Sequence, residues 1–223
     1  MPDFRMADEL NENSSVHVFM IGDSVFDNAA YVRSGEQDVR AQVADLLPQA
    51  AAVSSAARDG AVIASIRDQS ATIPSNATHI VVSAGGNDTL QASSILDERA
   101  SSVTSALEKL GCVAEEFKRE YVRLADQLAS FGLPVAVCTI YDPRFPDARL
   151  RKVGATALSV INDVITREAF ARGFALVDLR LVCDDDEDFA NPIEPSAIGG
   201  AKIARAIIRF IERRSVCSTV FAR

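Results

Sequence analysis

Short apolar runs alternate with longer stretches in which apolar residues recur every three or four positions, and this alternation predicts the architecture. The run Val16–Ile21 (VHVFMI) is rich in β-branched and aromatic residues and is cut off by Gly22, the pattern of a buried strand. Ile80–Ala84 (IVVSA), ended by Gly85-Gly86, reads the same way. So do Val135–Ile140 (VAVCTI), after Gly132 and Pro134, and Ala175–Leu179 (ALVDL), after Gly173. Ala51–Val53 is a weaker strand. Helical spacing marks Glu36–Leu47, Ala61–Gln69, Ser101–Phe131 (long enough for one helix or two), Ala148–Ala171 and Ser196–Arg213. Strands separated by helix-length crossovers imply βαβ units and a parallel sheet covered on both faces. The expectation is an α/β protein, a three-layer α/β/α sandwich around a five-stranded parallel sheet. Residues 1–14 are expected to be a flexible tail, and 15–223 a single domain without repeats or low-complexity linkers.

Composition narrows the function classes. Hydrophobic residues are 48% and charged residues 24% of the 223, so a well-filled core is expected and a disordered or fibrous chain is not. The net charge of −8 lacks the electrostatic footprint of a nucleic-acid binder and does not suit an anionic membrane surface; neither partner is expected. The acidic, polar N-terminus has no signal-peptide pattern and the apolar runs fall short of the ~20 residues of a spanning helix, so a soluble, cytoplasmic protein is expected. Cys112, Cys138, Cys183 and Cys217 lie far apart without metal-ligand spacing, and are expected to be buried free thiols. Apolar residues in Ser215–Arg223 are a candidate contact with a partner.

In open parallel sheets ligands gather beyond the carboxyl ends of the strands, which directs attention to the residues just after each run. Gly22-Asp23-Ser24 follows the first strand. A serine there is placed like an exposed nucleophile, with a sharp glycine turn before it and free N–H groups of a following helix near developing negative charge; alone, the tripeptide is equally a turn with a helix N-cap. Gly85-Gly86-Asn87-Asp88 follows the third strand; its asparagine amide could donate to an oxyanion, or the segment could be only a glycine loop capping a helix. Gly60, in Asp59-Gly60-Ala61 after the second strand, could add a backbone N–H.

Together, Gly22-Asp23-Ser24, Gly60 and Gly85-Gly86-Asn87-Asp88, each after a successive strand, resemble the first three sequence blocks of the SGNH (GDSL-type) hydrolases. The resemblance implies a flavodoxin-like fold and hydrolysis of a small-molecule ester through an acyl-enzyme, with no metal and no organic cofactor. Ser24 would be the nucleophile. The Ser24 N–H, the Gly60 N–H and the Asn87 side chain would form the oxyanion hole.

The fourth block departs from the family pattern. Where the family has Asp-x-x-His-Pro, this chain has Asn191-Pro192-Ile193-Glu194-Pro195, followed by Gly199-Gly200. Glu194 stands in place of the histidine base and Asn191 in place of the aspartate. Neither His17 nor His79 can substitute, because each opens a strand and so lies at the opposite end of the sheet. Glu194 is therefore the candidate general base, in a pairing that resembles that of serine–carboxyl peptidases. A carboxyl starts about 2.2 pKa units below an imidazole, and burial beside Ile193 and Phe189 would recover part of that gap. Asn191 would orient Glu194 by a hydrogen bond, adding no repulsive charge. The alternative is a catalytically inactive binding protein that keeps the pocket for an acylated or acetylated ligand, with Glu194 turned to solvent or locked to Arg144.

Asp23, Asn28, Gly86, Asp88 and Arg144 are the further substrate-binding candidates. Asp27 and Tyr31 are candidates for the pocket wall, Asp27 equally for a helix cap. The acidic run Asp184–Asp188 is expected to be a solvated loop and not a cation site. The chain lacks the Asp-x-Asp of haloacid-dehalogenase-type phosphatases, the G-x-x-x-x-G-K-[ST] loop of P-loop proteins and the Gly-x-Ser-x-Gly elbow. Aromatic residues are 6%, with no tryptophan, which favours small acyl esters over polysaccharides.

Overall fold

The computed structural model describes residues 16–212. The tail 1–14, Cys217 and the segment Ser215–Arg223 fall outside the described residues. Five parallel strands form the main sheet: β1 (His17–Ile21), β2 (Ala52–Ser55), β3 (His79–Val82), β4 (Val135–Cys138) and β5 (Ala175–Val177), in the order β2-β1-β3-β4-β5. This is the flavodoxin-like order, with the switch in strand order between β1 and β3.

The side-chain alternation of each strand assigns the two faces. Val18 and Met20 of β1, Val81 of β3 and Ala136 of β4 pack with Val39 and Val43 of α1 (Val39–Leu46) and with Ile203 and Ile207 of α7 (Ala197–Ile211). Phe19 and Ile21, Ile80 and Val82, and Val135 and Val137 face the other way. They meet Ile63 and Ile66 of α2 (Ile63–Ser70), Leu124 of α4 (Val103–Ala129) and Ile165 of α5 (Ala148–Ala171). The three layers of the sandwich are therefore α1 and α7, the sheet, and α2, α4 and α5. Among the described residues no helix is long and apolar enough to cross a membrane.

Helix ends lie where side chains can cap them. Asp38, Ser102, Asp147 and Ser196 each accept a backbone N–H at the start of α1, α4, α5 and α7, and residues 101–131 hold one 27-residue helix. The fourth strand stops at Cys138, short of Ile140, because Asn162 of α5 takes both backbone groups of Ile140 at 2.8 Å and draws them from the ladder. Four small elements were not anticipated: α3 (Gly86–Ala92), α6 (Leu179–Val182) and the antiparallel ribbon of β6 (Phe189–Asn191) with β7 (Glu194–Pro195). Cys138 and Cys183 are buried free thiols, but Cys112 is exposed on α4, a correction to the expectation for it.

Candidate active site

The site lies where the carboxyl ends of β1 and β3 meet. Gly22 has φ +147°, and a Cβ on it would stand 2.3 Å from the Ser83 carbonyl oxygen, so only glycine lets the two strand ends close up. Gln69 of α2 clasps this turn, accepting from the Gly22 N–H at 2.7 Å and donating to its carbonyl at 2.9 Å. No helix follows Ser24. The chain makes a single turn, in which Phe26 and Asp27 donate to the Asp23 carbonyl, and α1 begins only at Val39. The helix expected behind the serine is thus replaced by a turn that leaves the Ser24 N–H without an intramolecular partner among the described residues.

Asp23 is 3% exposed. Its Oδ1 accepts from the Ser83 hydroxyl at 2.8 Å and the Val25 N–H at 3.2 Å. Burial raises its pKa to about 6 against the pull of those hydrogen bonds. Asp23 lines the cavity beside Ser24, as does Gly86.

Beyond β3, Gly85 stands at the N-cap of α3 with φ +111°, and a Cβ there would press into the Phe117 ring at 2.7 Å. The turn puts Asn87 beside Ser24 in the cavity wall. The Asn87 amide donates to the Ala61 carbonyl at 3.0 Å and keeps a second N–H free to donate. Asp88 accepts the Ile63 N–H at 3.1 and 3.3 Å. Asn87 and Asp88 together tie α3 to the turn that carries Gly60, whose N–H has no intramolecular partner among the described residues.

Glu194 opens β7 and is 7% exposed. Three contacts set its segment: the Asn191 side chain accepts the N–H groups of Ile193 and Glu194 at 3.0 Å, the Tyr141 hydroxyl donates to the Ile193 carbonyl at 2.6 Å, and the Arg144 N–H donates to the Pro192 carbonyl at 2.7 Å. Burial pushes the Glu194 carboxyl up to about 7, the nearby Ser24 hydroxyl pulls it back without forming a hydrogen bond to it in this structure, and the charges of Asp59 and Asp23 push it further up. Its Oε2 has no hydrogen-bond partner among the described residues.

Four candidates stand elsewhere than expected. Asn28 is fully buried, with both ends of its amide used: it accepts the Val39 N–H at 2.9 Å and donates to the Pro195 carbonyl at 3.3 Å. It joins α1 to β7 and cannot reach a ligand. Asp88 is spent on α2, which lacks a side-chain cap of its own. Arg144 binds neither Glu194 nor open space: its guanidinium donates to the Asp184 carbonyl, pairs with Asp186 at 3.6 Å and covers the Phe189 ring. It braces the segment that carries Glu194. Asn191 orients Glu194 through the backbone: its Oδ1 accepts the Ile193 and Glu194 N–H groups, while its amide N–H groups, the ones that could donate to the carboxylate, make no bond to it.

The histidines are where the strand register put them. His17 is bonded through its two ring nitrogens to Asn76 and Ser54, and His79 packs edge-on against Phe210. The acidic run is organised by a lysine: Lys202 reaches Asp184, Asp185 and Asp188 at 3.3, 3.2 and 2.8 Å, so the place a cation would take is filled by an ammonium.

Asp59, Asp27, Tyr31 and Ser83 are part of the site's surroundings in roles the sequence did not reveal. Tyr31 donates to Asp59 at 2.7 Å, and the Asp59 N–H donates to Asp27 at 2.9 Å. Asp27 therefore neither caps a helix nor lines the cavity. The available signal was Asp59 itself, adjacent to the turn glycine. Ser83 lay within the expected strand and carried no signal.

Fold and site define a flavodoxin-like α/β protein whose polar groups converge at the switch point of the sheet. The chain belongs to the GDSL-like lipase/acylhydrolase family, whose model matches residues 18–201; this is a family of ester hydrolases with the SGNH architecture. No curated protein matches the chain. Solved structures share the fold. An extracellular lipase from Streptomyces rimosus is 17% identical with a TM-score of 0.63, over 87% of this chain and 99% of that one. A phospholipase A1 from Streptomyces albidoflavus is 15% identical with a TM-score of 0.64, over 87% and 98%. A variant of Axe2, an acetyl xylan esterase from Geobacillus stearothermophilus, is 16% identical with a TM-score of 0.61, over 92% and 98%.

Proposed function

We propose that the protein is a serine ester hydrolase in which Ser24 is the nucleophile and Glu194 the general base. The observation that carries this reading is the place and state of Glu194: buried, raised to about 7, in the lining of the same cavity as Ser24, and with its Oε2 unpartnered among the described residues. A base with a pKa near the working pH combines the right protonation state with enough proton affinity. The desolvation that raises Glu194 makes up the gap between a carboxyl and an imidazole.

In the first half-reaction Glu194 takes the Ser24 proton as Oγ bonds to the ester carbonyl carbon. The resulting oxyanion is held by the N–H groups of Ser24 and Gly60 and by the free amide hydrogen of Asn87. The intermediate collapses with cleavage of the bond to the alcohol oxygen, which receives the proton from Glu194. In the second half, Glu194 deprotonates a water that attacks the acyl-Ser24 carbonyl, and the proton returns to Ser24 as the acid leaves.

The test is hydrolysis of aryl esters by the wild type and Ser24→Ala, together with labelling by a serine-directed fluorophosphonate. Ser24-dependent turnover and labelling support the reading. Equal inactivity of both proteins and no labelling would leave the pocket as a binding site.

A further inference from the structure

The three oxyanion donors stand on three separate segments, so the shape of the hole depends on what joins them. The Ser24 N–H belongs to the turn after β1 and the Gly60 N–H to the turn after β2. From Arg58 to Ile63, five backbone N–H groups have partners. Arg58 donates to the Gly22 carbonyl at 3.0 Å, Asp59 to the Asp27 carboxylate at 2.9 Å and Ala61 to the Arg58 carbonyl at 3.1 Å. Val62 donates to the Ser65 hydroxyl at 3.1 Å, and Ile63 to Asp88. Gly60, with φ +76°, is alone without a partner in this run among the described residues. Asn87 is joined to the same turn through the Ala61 carbonyl. The Ser24 turn is joined to it by side chains. Asp27, three residues after Ser24, accepts the Asp59 N–H, and the Tyr31 hydroxyl donates to the Asp59 carboxylate at 2.7 Å. Both bonds end on the residue immediately before Gly60. Their anchorage is firm, because the Tyr31 N–H donates to the carbonyl of Asn28, which is itself buried and held at both ends of its amide.

We propose that Asp27 and Tyr31 are positioning residues for the oxyanion hole: their clasp on Asp59 sets the Gly60 N–H against the Ser24 N–H. The proposal rests on the esterase reading and adds to it two side chains that touch neither the substrate nor the reacting atoms. Asp59 is exposed, and polar substitutions at a surface change stability little. A reacting geometry displaced by about 1 Å, in contrast, can lose about 10²-fold in rate. A slackened clasp therefore shows in rate before it shows in folding. Oxyanion donors act on charge that develops only in the transition state, so kcat carries the loss and KM does not.

The test measures kcat and KM for an aryl ester in wild type, Asp27→Ala, Asp27→Asn and Tyr31→Phe. Asparagine keeps an acceptor for the Asp59 N–H but loses the same charge as alanine, so it separates the hydrogen bond from the charge. The expected result is kcat about tenfold lower in Asp27→Ala and Tyr31→Phe, KM within about twofold of wild type, and Asp27→Asn restored to within about threefold. The ionisation of Glu194 in the pH profile should stay in place, because Asp59 and Asp23, the charges that act on it, are kept. Wild-type kcat in both Asp27→Ala and Tyr31→Phe, equal losses in Asp27→Ala and Asp27→Asn, or a loss that travels with a displaced pH profile would overturn the proposal. The Gly60 amide gives a readout that needs no turnover. Its ¹⁵N order parameter should be about 0.85 in wild type and Asp27→Asn, and below about 0.6 in Asp27→Ala. If the wild type hydrolyses no ester, the esterase reading falls, and that difference still supports the clasp. Equal order parameters in the three proteins would overturn it.

Discussion

The two ends of the central sheet treat their titratable groups in opposite ways. At the amino end, His17 has both ring nitrogens engaged, and His79 is packed against an aromatic ring. At the carboxyl end, Asp23 and Glu194 are buried, their pKa values are pushed up to about 6 and about 7, and the Glu194 Oε2 has no partner among the described residues. A buried polar group left unpartnered costs stability, and such groups cluster where chemistry is done. The amino end uses ionisable side chains as fasteners. The carboxyl end holds them ready to exchange protons.

Substitutions at the two ends should therefore separate rate from stability. The largest effect is expected for Ser24→Ala, with a loss of about 10³-fold or more in kcat for an ester substrate and an unchanged far-UV circular dichroism spectrum; residual activity within tenfold of wild type would erase the distinction between the ends. Asn87→Ala should lower kcat by about 10²-fold, the typical cost of one oxyanion donor. KM should change little, because the donor acts on charge that develops only in the transition state.

His17→Ala should do the reverse, lowering unfolding free energy by about 1 kcal/mol in urea melts, through the loss of its hydrogen bonds to half-buried Ser54 and exposed Asn76, while kcat stays within about twofold of wild type. The pH dependence of stability sharpens the contrast further. Above pH 4.5 the unfolded chain ionises Glu194 while the folded protein keeps it protonated up to about 7; Asp23 behaves likewise between 3.8 and about 6. The folded state binds more protons in those windows, so its stability should fall as pH rises from about 4 to 7. Glu194→Gln should flatten the Glu194 part of that fall, by the order of 2 kcal/mol between urea melts at pH 4.5 and pH 8.

Why the two ends were unequally legible from sequence has a physical basis. Strand runs ending in glycine are local signals, and they placed Ser24, Gly86 and Asn87 at one edge and both histidines at the other. Asn28 and Asp88 were misread because their partners are remote in the chain: Asn28 is bonded to Val39 and Pro195, and Asp88 caps a helix that starts at Ile63. Arg144 was misread for the same reason, since Asp184, Asp186 and Phe189 lie some 40 residues on. The β6–β7 ribbon that presents Glu194 contains two very short strands, too brief for any periodicity. The cavity beside Ser24 is lined from α3, α4 and α5, segments far apart in the chain, so no local pattern marked it.

The most direct measurement is the pH dependence of kcat/KM for an aryl ester, from pH 4 to 9, in wild type and in Glu194→Gln. If Glu194 is the base, the wild-type rate rises through a single ionisation near pH 7, and the variant loses both that limb and about 10²- to 10⁴-fold of the rate. A Glu194→Gln protein with wild-type rate and the same ascending limb would show that the proton goes elsewhere.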